Sequence, residues 1–439
     1  MWKSSNQKNG YMVVTGHFID SDWKLQKRVL NFFHMPPPHS GVIVVDALQK
    51  CFIELGIEDK VFTITVDNAK YNDVALRILK DNFTLKKKLC FGGRIFHVHC
   101  CAHIINLLVQ DGIKEVKGIV DIVREGVKYL ITSDSRMIQF SDIAKQLQLS
   151  SKKLILDCPT LWNSTYMMLA TTLEFREVFP RYQDRDPGFI YVPSVEDWVK
   201  VEHVCDFLGT FNVVTNITLR TEYPTANLFL SELWRIKVIL NEKFVDDNEF
   251  IRAMASMMKA KFDKYWSECN LLMAIVAVLD PRYKMIIVNY CFLDIYPEAE
   301  ANRNIATVKQ ALYEIYNDRT VDTIQPSKSD LDIYLDESAF ICAEGSANKF
   351  NIMEWWKVNT LKFCILSKMA RKILSIPITS VASKSTFSVG GRVIDPYHAS
   401  QLPETVQVLI CGVDWVRALH GLMKGSEQEK PSHVEYDLP

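Results

Sequence analysis

Apolar and polar positions in the first 110 residues follow two different periods in turn. Runs of β-branched and aromatic residues that end in polar turns predict strands, and runs with apolar residues three and four apart predict helices. The predicted strands are residues 11–20, 23–33, 61–67 and 95–99, and the predicted helices are residues 44–56, 73–83 and 102–111. Strands that alternate with helices indicate an α/β architecture.

From residue 198 onward the pattern is helical almost without interruption. Apolar residues recur at three- and four-residue spacing in segments 201–208, 226–240, 250–266 and 271–279. Two further stripes lie near the C-terminus: Trp355, Trp356, Phe363, Leu366, Met369 and Ile373, and then Val406, Leu409, Ile410 and Val413. Such a stripe either fills the core of one chain or joins two chains.

Length and composition indicate a globular protein of more than one domain. A chain of 439 residues exceeds one ordinary core, and hydrophobic residues make up 48% of it. The net charge of −1 is not that of a small basic DNA-binding domain, so any DNA contact has to come from local patches. Lys86, Lys87 and Lys88 form one candidate patch, and the alternative is that they are solvated surface. No apolar run reaches membrane-spanning length, so no membrane partner is expected.

Short sequence blocks along the chain carry the clearest functional signal. In order they read T-V-D-N-A at 65–69, C-C-A-H-I-I-N-L at 100–107, L-D-C-P-T-L-W-N-S-T at 156–165, L-D-P-R-Y-K at 279–284, W-W-K at 355–357 and A-S-K-S-T-F-S at 382–388. These blocks, in this order, resemble those of the hAT-family DNA transposases, and within them the plant branch that includes the Ricesleeper and Daysleeper proteins. The resemblance covers nearly the whole chain.

The resemblance implies a fold class of α/β plus all-α. Residues 1–165 are then a truncated RNase H-like domain, and residues 198–317 are a helical insertion or hAT-like RNase H-fold region. Residues 331–417 are the hAT C-terminal dimerisation region, and residues 418–439 are a tail. Relatives place a BED zinc finger and a first strand ahead of the segment that begins here at Met1. We therefore expect an N-terminally truncated RNase H-like domain in which the strands beside the missing one lose backbone partners.

The family's Asp-Asp-Glu triad is implied to be incomplete in this chain. Its second aspartate corresponds to Asp67, its glutamate position holds Lys384, and its first aspartate would precede Met1. A lysine does not ligate Mg²⁺ and repels the cation, so we expect no intact catalytic site and no cofactor. The alternative role for Asp67 is to cap the turn before Asn68. Glu354 either substitutes for the missing glutamate or simply starts a helix.

Three further positions are interpreted through the resemblance. Cys100 and His103 correspond to family residues that lie near the active site and shape it. Trp162 corresponds to a tryptophan that stacks on an extruded base, and the alternative is a core residue at a loop-to-helix junction. Leu161 stands where the family usually has an arginine that contacts phosphate, which weakens the case for handling DNA ends.

A dense group of potential metal ligands surrounds Cys100. His97, His99, Cys101 and His103 come from the same short segment. A closed zinc site takes four ligands, usually as two separated pairs, and the sequence offers no obvious second pair. The 11 cysteines contain no C-x-x-C pair, which favours free thiols in a reducing compartment. We therefore predict no metal site and assign this segment a packing or hydrogen-bonding role.

Together these features predict a degenerate or domesticated hAT transposase that is not an enzyme. The resemblance implies transcription-related action in the nucleus and weak, largely non-specific binding of DNA. It also implies homodimers, or heterodimers with full-length relatives, joined through Trp355, Trp356, Phe387, Val406, Leu409, Ile410, Val413 and Trp415. One alternative is an active transposase or nuclease, which needs the upstream aspartate and an acidic replacement for Lys384. The other is a decoy that only dimerises and withholds DNA binding from its relatives.

Overall fold

The computed structural model describes residues 2–3, 10–37, 40–86, 89–149, 152–219, 224–318, 328–342, 350–394 and 401–421. Within these ranges the elements in chain order are β1 (Trp2–Lys3), β2 (Gly10–Ile19), β3 (Leu25–His34), α1 (Gly41–Glu54), β4 (Ile64–Val66), α2 (Lys70–Leu85), β5 (His97–His99), α3 (Cys101–Ile113), α4 (Lys117–Ile131), α5 (Asp134–Gln146), α6 (Trp162–Glu174), α7 (Val178–Arg185), α8 (Val195–Thr218), α9 (Ala226–Phe244), α10 (Glu249–Val278), α11 (Lys284–Ile295), α12 (Glu298–Asn317), α13 (Asp330–Asp336), α14 (Ile352–Val358), α15 (Leu366–Leu374), α16 (Val381–Val393) and α17 (Pro403–Leu419). A few strands among many helices confirm the predicted α/β plus all-α class. Every described helix is too short or too polar to cross a lipid bilayer.

The chain divides into two compact units. The smaller unit contains Met1–Phe18, Gln26–Asp59 and Val381–Pro439, and the larger contains Ile19–Leu25 and Lys60–Ser380. Strands β1, β2 and β3 form one sheet in that order, with β1 pairing to β2 over two residues. In the described ranges, β4 and β5 form a separate two-stranded parallel sheet.

The core of the smaller unit joins its sheet to the last two helices. Tyr11 of β2 and Phe32 of β3 are buried with Val406 and Ile410 of α17. Gly390 of α16 allows a close approach, because a Cβ at that position would lie 3.1 Å from the Phe32 ring. The apolar face of α17 that the sequence predicts is therefore used in part within one chain.

Helix α17 also satisfies the edge of this sheet. The N–H of Val29 in β3 donates to Asp414 Oδ2 at 2.9 Å, and the Nε1 of Trp415 donates to Val29 O at 3.0 Å. Edge strands otherwise present unpaired backbone groups that invite another strand. Two side chains of one helix thus take the place of a neighbouring strand at Val29.

The larger unit is a helical body around one apolar core. Its longest helix, α10, packs against α3, α9 and α11. Helix α8 starts at a capping box, in which the Ser194 hydroxyl accepts from the Asp197 N–H and the Asp197 side chain accepts from the Ser194 N–H. This arrangement satisfies backbone donors that the first helical turn leaves unpaired.

Two helix predictions require correction. Segments 250–266 and 271–279 belong to one 30-residue helix, α10, because the polar residues between them include no proline or glycine to end it. Conversely, the stripe that starts at Trp355 is broken into α14 and α15. Asn359 ends α14, with its Nδ2 donating to Trp355 O at 2.8 Å.

Candidate active site

Asp67 lies directly after β4, in the turn that leads to α2. Its Oδ1 accepts from Asn72 Nδ2 at 2.6 Å and from the Ala69 N–H at 3.4 Å. Asn72 Nδ2 also lies 3.3 Å from Asp67 O. The carboxylate therefore holds the turn together, as the capping alternative predicts.

Cys100 lies beside Asp67 because of the strand register. Val66 pairs with His99, and the Cys100 N–H donates to Val66 O at 2.8 Å. The buried Sγ of Cys100 accepts from both the N–H and the hydroxyl of Ser380, each at 3.3 Å. The N–H of His103 donates to Cys100 O at 3.0 Å in the first turn of α3. Cys100 thus ties the end of β5 to the segment before α16.

One face of the β4–β5 pair carries two histidines. Side chains alternate along a strand, so His97 and His99 share a face with Val66, whereas Thr65 faces the other way and donates to Pro377 O at 2.5 Å. The imidazole centroids of His97 and His99 are 4.1 Å apart. Burial, with the nearby charges of His99 and Lys80, lowers the pKa of His97 to about 4. His97 is therefore neutral at physiological pH.

Asp73 joins these histidines, and sequence reasoning missed it. One potential ligand atom from each of Asp73, His97 and His99 lies within 4.8 Å of the others. Asp73 is in the first turn of α2, 24 residues before His97 in the chain, and no local spacing links the two. Only the packing of α2 brings the aspartate to the histidines.

The remaining charged candidates lie on the surface where they are described. Lys384 is exposed on α16, in the smaller unit, and Lys86 is exposed at the end of α2. Lys87 and Lys88 lie outside the described residues. Glu354 is exposed in the first turn of α14, which is where the helix-start interpretation places it.

The structure corrects the base-stacking role of Trp162. The side chain is the first of α6 and is only 1% exposed, so its ring offers no face to a base. The Trp162 N–H donates to Asn106 Oδ1 at 3.1 Å, which connects the blocks at 156–165 and 100–107. Leu161 is half exposed. Trp162 is thus the core residue at a loop-to-helix junction of the alternative interpretation.

A buried ion pair explains the aspartate of the L-D-C-P-T block. Arg124 Nε and Nη2 donate to Asp157 Oδ1 and Oδ2, each at 2.8 Å, and Thr165 Oγ1 donates to Oδ2 at 2.7 Å. Burial alone would raise the pKa of Asp157, but these hydrogen bonds and the Arg124 charge hold it below its usual value. This block therefore anchors α4 to the start of α6.

Trp356 and the L-D-P-R-Y-K block meet in the core of the larger unit. Trp356 is fully buried, and its Nε1 donates to Leu279 O at 3.0 Å. Lys284 Nζ donates to Tyr334 O at 2.6 Å, and Trp355 packs at the edge of the same cluster. The predicted dimer contact of Trp356 is therefore wrong in this structure, because its indole is enclosed by its own chain.

The predicted dimer contacts of the smaller unit separate into two groups. Val406 and Ile410 are buried in its core, which corrects their assignment to an interface. Phe387 is only partly buried and packs edge-on to Phe32, with 6.2 Å between the ring centroids. The other group is exposed on α17: Leu409 by 40%, Val413 by 44% and Trp415 by 44%. Sequence reasoning omitted three more exposed apolar residues of this helix, Val408, Val416 and Leu419.

Four family models match successive parts of the chain. They are the ZBED1 RNase-like domain at residues 1–95, the ZBED1 RNase-like helical domain at 98–207, the hAT-like transposase RNase-H fold at 227–318 and the hAT family C-terminal dimerisation region at 330–416. The chain belongs to the hAT transposase family. The expected RNase H-like and dimerisation regions are thereby confirmed for this hAT protein.

Similar proteins occur in plants. The chain is 36% identical to the zinc finger BED domain-containing protein Ricesleeper 2 of Oryza sativa subsp. japonica, over 95% of this chain and 64% of that protein. It is 34% identical to Daysleeper of Arabidopsis thaliana, over 93% and 62%, and 32% identical to a putative AC transposase of Zea mays, over 95% and 56%. This hAT protein thus spans a little under two thirds of the length of these relatives.

Proposed function

We propose that this chain is a hAT-derived protein without strand-transfer activity, which associates with DNA and pairs with a second chain through α17. The observation that carries the proposal is Lys384, which stands exposed where the resemblance places the triad glutamate. Transposition chemistry of this kind uses carboxylates to hold two metal ions that activate the attacking oxygen and stabilise the leaving one. A lysine at this position supplies a positive charge instead.

The state of Asp67 supports the same conclusion. Its Oδ1 already accepts hydrogen bonds from Asn72 and Ala69 within the turn. These hydrogen bonds give the carboxylate a structural role in the turn that needs no metal ion. A two-metal site takes several carboxylates, and Lys384 occupies the position that the resemblance gives to one of them.

The exposed side of α17 supports pairing with another chain. Apolar residues at 408, 409, 413, 415, 416 and 419 leave a broad apolar surface in the matched dimerisation region and just beyond it. Monomeric soluble proteins seldom expose a large contiguous patch of this kind. Its burial contributes roughly 25 cal/mol per Å² before the costs of association are subtracted. The partner is a second copy or a relative with the same region.

DNA association rests on the family and on local patches such as the one at Lys86. Since the net charge is −1, binding should be weak, largely independent of sequence and sensitive to salt. A nuclear, transcription-related role follows from the same resemblance. The relatives named as BED zinc finger proteins support DNA as the partner class.

A strand-transfer assay tests the catalytic part of the proposal. Purified protein is incubated with DNA that carries hAT terminal inverted repeats, with Mg²⁺ or Mn²⁺. We expect neither hairpins nor joined products from the natural chain, because its glutamate position supplies a positive charge. A gain of products in Lys384→Glu would show that this lysine alone blocks the reaction. Lys368→Glu, an exposed lysine on α15, is the matched charge control. Metal-dependent products that disappear on Asp67→Ala would instead establish an active transposase.

A further inference from the structure

We propose that Asp73, His97 and His99 form a binding site for a divalent transition metal ion of the zinc type. The three side chains come from α2 and β5, on the face of the β4–β5 pair that carries the histidines. The site is independent of the proposed function, because none of these residues corresponds to a triad position.

Strand and helix geometry bring the three ligands together. His97 and His99 are two residues apart on β5, so their imidazoles project from one face. Their candidate ligand atoms and that of Asp73 lie within 4.8 Å of one another. Tetrahedral zinc with bonds of about 2.0–2.1 Å places its ligand atoms roughly 3.3–3.4 Å apart. A rotamer change of the exposed Asp73 side chain, together with small shifts of the two imidazoles, would bring the ligand atoms to that spacing.

A second observation points to a ligand at this place. The Nε2 of His97 is buried and has no hydrogen-bond partner among the described residues. Buried polar atoms in folded proteins are almost always paired with protein, water or an ion. A bound metal would give the His97 nitrogen its partner.

The ligand set selects the class of metal. Imidazole nitrogens suit zinc, iron, copper and nickel, whereas Mg²⁺ and Ca²⁺ take oxygen ligands. Two histidines and one carboxylate leave a coordination position open, as in sites where the metal also holds a water molecule. Zinc is therefore the probe for the site, and Mg²⁺ is the contrasting cation.

Calorimetric titration of the full chain with Zn²⁺ tests the assignment. All proteins carry Cys158→Ser and Cys364→Ser, because these two cysteines are exposed thiols that also bind zinc. We expect Zn²⁺ binding with no response to Mg²⁺, and a loss of affinity of about tenfold or more in Asp73→Ala and in His99→Gln. Asp81→Ala on α2 and His203→Gln on α8 replace exposed residues of the same types and should bind as the parent does.

The spectrum of the Co²⁺-substituted protein separates this site from a thiolate site. Bands typical of nitrogen and oxygen ligands, which disappear in Asp73→Ala, are expected. Circular dichroism checks that each variant is folded; because Asp73 is exposed, Asp73→Ala decides the matter if His99→Gln does not fold. Absence of Zn²⁺ binding, or equal affinity in Asp73→Ala and the parent, overturns the proposal.

Discussion

The ion pair between Arg124 and Asp157 allows a sharp test of how the L-D-C-P-T block acts. Arg124→Met keeps an aliphatic stem of similar length but leaves Asp157, whose side chain has no exposed surface, with Thr165 as its remaining side-chain donor. Removing one partner of a buried pair leaves an uncompensated charge, and typically costs about 3–5 kcal/mol. We expect a loss of this size in the free energy of unfolding of the larger unit at neutral pH.

The loss should depend on pH in a defined direction. In the natural protein the pKa of Asp157 is held below its usual value, so its stabilising contribution is present above the unfolded pKa and is lost as pH falls through the folded pKa. Without Arg124, burial acts unopposed by that charge and raises the pKa of the carboxyl. The variant then folds more easily with Asp157 protonated. The difference between the two proteins should therefore shrink on acidification.

Hydrogen–deuterium exchange of peptides from α4 and α6 measures this loss locally, which avoids treating a two-unit chain as one transition. Lys128→Met on the same helix removes an exposed pair with Glu125 and should cost no more than about 1 kcal/mol. The double variant Arg124→Met, Asp157→Leu should be milder than Arg124→Met alone, since no buried charge is orphaned. If Arg124→Met costs no more than Lys128→Met, the block does not anchor the fold in this way.

Three further outcomes are expected. Val413→Glu should dissociate the assembly seen by light scattering and leave a folded chain. Ile410→Asp should instead unfold the smaller unit, because Ile410 is buried. A natural chain that is monomeric in this assay would contradict the α17 interface. Fluorescence anisotropy should show similar affinities for several unrelated DNA sequences, and each affinity should fall steeply as the salt concentration rises. Tight binding to one sequence that resists salt would contradict non-specific binding. Burial and the Lys27 charge lower the pKa of His17 to about 4. As pH falls, the unfolded chain therefore takes up a proton at this residue before the folded chain does, and the free energy of unfolding should decrease between about pH 6.5 and pH 4. His17→Gln should reduce this pH dependence in thermal unfolding curves.

The sequence by itself determined the local elements and the family. The strands at residues 11–20 and 23–33, and the helices after residue 198, follow from periodicity, because that pattern reflects which side of each element is apolar. The sequence blocks gave the RNase H-like and dimerisation regions. Sequence also raised both alternatives for Asp67 and Trp162, and in each case the structural alternative is the one observed.

Only the tertiary structure decided which apolar and polar groups meet. Apolar residues surround much of α17, so its pattern could not show that Ile410 faces the core of its own chain whereas Val413 faces outward. The same is true of Asp73, which no spacing connects to His97 and His99. Helical and strand periods depend on neighbours a few residues apart. Burial and ligand geometry depend on contacts between segments that are distant in the chain, and only packing brings those segments together.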